Sequence, residues 1–149
     1  MNYIGKYNKI VSNLIKKDFQ NLARERIIIK EKNVKYKAHV RYFPWGATLY
    51  LSKQLRKFPE KVVKRIIFHE LCHLELFKKE GIIKNNFNYL FYIFSSKTRK
   101  RIETEANILM IKKGHGREVM AALKDNLRRG LSYPLSIKEI KQYMDRYYK

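Results

Sequence analysis

The stretch RIIFHELCHLELFKK, from Arg65 to Lys79, sets two histidines four residues apart in an otherwise apolar run, with a glutamate directly after the first. A buried helix face ordinarily excludes such groups, because a polar side chain without a partner is costly away from water. Zinc chemistry wants this spacing. On a helix, residues i and i+4 share a face, so His69 and His73 can hold one Zn2+ ion through imidazole nitrogens at about 2.0–2.1 Å. Glu70 is rotated off their line but stays beside the open side of the metal. There it can take a proton from water and pass it to a leaving amine. Cys72, inside the same motif, points about 100° away from His73 and reads as a small buried residue.

The flanks support a helix here. Pro59 and Glu60 suit a first turn, Val62, Val63, Ile66 and Ile67 continue the pattern, and Gly81 can end it. Upstream, Ile4, Ile10, Val11, Leu14, Ile15 and Phe19 predict an amphipathic helix over residues 3–22. RIIIK, YKAHVRYF and ATLYLS read as strands, with FPWG (Phe43 to Gly46) as a turn between the last two. Alternation turns Leu49 and Leu51 to one face and Thr48 and Tyr50 to the other. The ATLYLS strand, Ala47 to Ser52, either pairs with an extended substrate or is a packed strand with no substrate role. Downstream, helices are expected over residues 98–113 and 117–128, separated by GHG at Gly114 to Gly116. SIKE (Ser136 to Glu139) is a capping box that starts a last helix over residues 137–147. Its expected apolar face is Ile137, Ile140, Tyr143 or Met144, and Tyr147. The order of helix, strands, then helices is that of a single α+β domain over residues 1–149.

A catalytic zinc usually takes three protein ligands. The third is sought in RIETEANILMIKKG, residues 101–114, where Glu103 and Asn107 share a helix face and Glu105 points away. Glu103 can bind the metal while Asn107 hydrogen-bonds and orients a ligating histidine. His115 is the other candidate. His39, in a strand before the motif, reads as structural.

These motifs resemble those of the gluzincins, zinc peptidases that add a downstream glutamate to H-E-x-x-H. ETEAN is similar to the E-x-E-A-D of the CAAX-prenyl-protease and HtpX-type membrane metallopeptidases, with asparagine at 107 in place of aspartate. GHGREVMAALKDNL, LSYPLSIKEI and TLYLSKQLRKFPEKVVKRIIFHELCHL extend the likeness over about residues 46–142. Tyr133 stands where those enzymes have a histidine. The transmembrane helices of those enzymes have no counterpart here, so the chain most resembles the small soluble minigluzincins. The resemblance implies a zincin-like fold and peptide-bond hydrolysis. It implies zinc on His69, His73 and Glu103, with Glu70 as general base and Asn107 in support. It also assigns Tyr133 a hydrogen bond to the oxyanion. The break at Gly130 and Pro134 lets the last helix either fold back into the core or lie across a cleft, its own or that of a second copy, as in a latent, zymogen-like enzyme or a homodimer.

A second resemblance is to the SprT-like family, which combines HELCH-type motifs with a later histidine in a G-H-G setting and often a DNA-binding surface. GHGREV invites it. The separation of 42 residues from His73 to His115, Val119 where an aromatic is expected, and the unexplained ETEAN speak against it. A third reading, a nucleic-acid-binding module with structural zinc, lacks the cysteines that closed sites use.

The chain carries 34 Lys and Arg against 13 Asp and Glu, a formal charge of +21 over 149 residues. Such a surface attracts nucleic acid or anionic membrane, although scattered basic residues also serve solubility. With 45% apolar residues the chain can bury a real core, and its one cysteine excludes an internal disulfide. The N-terminus does not read as a signal peptide. YLFYIF (Tyr89 to Phe94) is too short to span a bilayer. A soluble, cytoplasmic protein acting on a peptide or protein substrate is the expectation.

Overall fold

The computed structural model describes residues 2–33, 37–81 and 95–148. YLFYIF falls outside them; within them, no helix is long and apolar enough to cross a membrane. The architecture is α+β, with helices and one small sheet of three strands. The chain divides into two compact units, residues 1–86 and 87–149.

The first unit begins with α1 (Tyr3–Asp18), capped by the Asn2 side chain, which accepts from the Gly5 N–H at 2.9 Å. The helix stops at Asp18, short of the expected Leu22, and a 3-10 turn, Gln20–Leu22, follows. The apolar spacing runs through this break because Phe19 and Leu22 are both fully buried. Strands β1 (Ile27–Lys32), β2 (Ala38–Phe43) and β3 (Gly46–Ser52) form a sheet in the order β1-β3-β2. A turn at Pro44 and Trp45 joins β2 and β3 as an antiparallel hairpin, and β1 pairs parallel to β3. Gly46 is required at the end of that turn. Its φ is +132°, and a Cβ there would meet the Arg26 carbonyl at 2.4 Å.

The ATLYLS strand is therefore the central one, which favours the packed strand of the two readings and corrects substrate pairing along it. Both of its edges are hydrogen-bonded, to β1 on one side and β2 on the other. A strand so placed has no ladder groups left for a third partner. Leu49 and Leu51 do face the core, at 1% and 0% exposure, while Tyr50 is half-buried.

Helix α2 (Glu60–Glu80) packs on β2 and α1. Pro59 precedes it, Glu60 pairs with Lys64 and Lys6, and Gly81, at φ +83°, ends it. Val63, Ile67, Leu71 and Leu74 recur at helical spacing and are buried with Tyr7, Ile10 and Val11 of α1. Phe19 and Phe68 meet edge to face, with centroids 4.8 Å apart. Each such side chain contributes roughly 1.5–3 kcal/mol through burial.

The second unit is helical: α3 (Ser96–Lys112), α4 (Gly116–Arg128) and α5 (Ile137–Tyr147), packed pairwise. Ser95 caps α3, and Ser136 with Glu139 forms the expected capping box of α5. The core comprises Ile102, Ala106, Met110 and Ile111 of α3, Val119 and Leu123 of α4, then Leu135 and Ile140. The last helix packs on α3 and α4 and buries Ile140 in this core. Ile137, expected on its apolar face, is instead 42% exposed.

Candidate metal centre

The two histidines lie in the middle of α2, where a regular helix fixes their mutual position. Their Nε2 atoms are 3.0 Å apart and their rings are nearly perpendicular, at 88°. Two nitrogens each about 2.05 Å from a zinc ion would subtend roughly 95° at this separation, close to a tetrahedral pair. His73 is 6% exposed and its ring stacks on Phe77. Glu70 is 8% exposed, an unusual place for a carboxylate. Cys72 is fully buried.

Among the described residues, the ligand atoms of His69, His73 and Glu103 all lie within 4.8 Å of one another. Two imidazoles and one carboxylate form a donor set that suits zinc and leaves a coordination position open. His115, the alternative third ligand, is not a member of this cluster. Its Nδ1 lies 3.6 Å from the Glu118 carboxylate in the first turn of the helix that it precedes.

Glu103 and Asn107 sit one turn apart on α3. Glu105, two residues on from Glu103, pairs with Arg101 at 3.4 Å. Asn107 is 2% exposed, and its Nδ2 donates to the Glu103 carbonyl at 2.7 Å. The Tyr133 hydroxyl donates to Asn107 Oδ1 at 2.8 Å. Asn107 thus holds the backbone turn that presents Glu103, and Tyr133 holds Asn107. The Tyr133–Asn107 link spans 26 residues and leaves no trace in local sequence pattern. Two short motifs pointing to separate roles were all that could be read.

The glycines of GHG have structural reasons. Gly114, at φ +89°, ends α3. Gly116 lies so close to α5 that a Cβ would meet Met144 at 2.6 Å, and its N–H donates to the Tyr148 hydroxyl.

No known protein family matches the chain, and no curated protein or solved structure does so either.

Proposed function

We propose that the chain is a cytoplasmic zinc-dependent peptidase of zincin-like organisation, of the minigluzincin kind its motifs resemble. One observation carries this reading: ligand atoms of two imidazoles and a carboxylate lie within 4.8 Å of one another, and the residue directly after the first histidine is a buried glutamate. His69, His73 and Glu103 would hold the ion. When bound, zinc supplies Lewis-acid activation of water and of the scissile carbonyl.

The chain's own residues do the rest. Glu70, adjacent to a ligand but not one itself, takes the proton from the attacking water and delivers it to the departing amine. Asn107, pinned by Tyr133, fixes the helical turn that carries Glu103. For the Tyr133 hydroxyl to serve an oxyanion, it must exchange its bond to Asn107 for one to the intermediate. An extended peptide would add along the outer edge of β2, which is the edge strand among the described residues and packs against α2.

The test is metal content together with turnover. Purified protein should carry about one zinc per chain. Glu103→Ala should lose most of it, and His115→Ala should keep it. Glu70→Gln should retain zinc and fold while losing peptidase activity by about a hundredfold or more. Zinc kept in Glu103→Ala and lost in His115→Ala would move the third ligand to His115 and favour the SprT-like reading. Unchanged turnover in Glu70→Gln would remove Glu70 from the mechanism.

A further inference from the structure

The sheet has two faces, and the buried Ile29, Val40, Leu49 and Leu51 all lie on one of them, while on the other Thr48 and Ser52 of the central strand are buried beneath longer side chains of the outer strands. Directly paired residues share a face, so the register assigns Lys30, Tyr50 and His39 to one row on the other side, and Ile28, Thr48 and Arg41 to the next. Lys30, Lys32 and Arg41 are exposed. On the three strands this face carries no carboxylate, because Glu31, the one acid in them, falls on the opposite side and bonds Arg56.

Aromatic rings lie among these cations. The Tyr50 ring stacks on His39 at 4.7 Å, with the Lys32 ammonium 4.8 Å and the Arg41 guanidinium 5.7 Å from its centroid. Burial, Arg41 and Lys32 hold the His39 pKa below the ordinary imidazole value. At the hairpin end Trp45 stacks on Phe43 at 5.4 Å and is 71% exposed. Indole is the largest apolar side chain, and here one is displayed at the tip of a basic surface.

We propose that this sheet face binds single-stranded nucleic acid, with Trp45 as a stacking platform for a base and Lys30, Lys32 and Arg41 as the phosphate contacts. Base stacking on aromatics within a cationic groove is how sequence-tolerant single-strand binding is built. The charge complementarity is local as well as global, since the face concentrates cations without acids on a chain already at +21. Duplex DNA offers no unstacked base to Trp45. The proposal does not depend on the peptidase reading.

The chain has a single tryptophan, so its fluorescence reports on this face alone. Titration with oligo-U and oligo-dT of about eight nucleotides should quench it saturably. Three phosphate contacts on a single strand predict a slope of log affinity against log salt of about −2. By anisotropy of a labelled oligonucleotide, Trp45→Ala should weaken binding by about fivefold or more, and Arg41→Ala should flatten the salt slope by about 0.7. Lys124→Ala and Glu70→Gln should change neither. A 2′-hydroxyl contact would show as tighter binding of oligo-U. The proposal is overturned if no quenching occurs. Parental affinity in both Trp45→Ala and Arg41→Ala would also overturn it, as would equal quenching by anionic phosphatidylglycerol vesicles. Lys32→Ala offers a second charge test should Arg41→Ala fail to fold.

Discussion

His39 is the titratable side chain whose surroundings give the clearest pH signature. Its ring is stacked and its Nδ1 buried, and burial first, then Arg41 and Lys32, disfavour the imidazolium. Its folded pKa lies below the ordinary 6.5. Between the two values the unfolded chain binds more protons, so this contribution is fully present above about pH 6.5 and fades as pH falls through the folded value. The melting temperature should therefore drop more between pH 7 and pH 5 in the parent than in His39→Phe, which keeps a ring for stacking. Parallel curves would show that His39 is not responsible. Glu31 behaves in the same sense at lower pH. Its hydrogen bonds from Arg56 hold its pKa below 4.5, so that stability is present at neutral pH and lost in acid.

Between elements, α5 approaches the start of α4 closely. No Cβ fits at Gly116 without displacing Met144 or Tyr148. Gly116→Ala should therefore destabilise the second unit by about 1–3 kcal/mol, the usual cost of overpacking. Urea unfolding followed by circular dichroism checks this, and a value within 0.5 kcal/mol of the parent would mean the helices part without cost. The histidine spacing, the hairpin turn and the capping box were legible in sequence because each is written within about five residues. The end of α1 was not, since Phe19 and Leu22 keep helical spacing across a 3-10 turn. Nor was the position of β3. Alternation tells which face a residue takes, never which strands lie beside it. The cationic sheet face illustrates the difference. Lys30, Arg41 and Tyr50 each alternate correctly in their own strand, but only the register sets them side by side.

At the scale of the whole chain, each unit has its own apolar core. Residues far apart in sequence still decide the candidate centre, for Glu103 lies 30 positions beyond His73. The formal charge of +21 means that added salt screens self-repulsion, while it weakens any polyanion contact. The central place of β3 also orders events in time. Emerging from the ribosome, β1 waits for residues 46–52, because among the described residues its ladder partner is β3, the last of the three strands to be made. The β2–β3 hairpin, closed by two residues, can form within microseconds of its synthesis. The sheet should then be assembled backwards, with the older strand docking onto the newer pair. A core truncation in the hairpin, Val40→Ala, should slow refolding, whereas Ile29→Val in β1 should chiefly hasten unfolding. The first eighty residues thus hold their earliest strand in waiting until the newest one has emerged beside it.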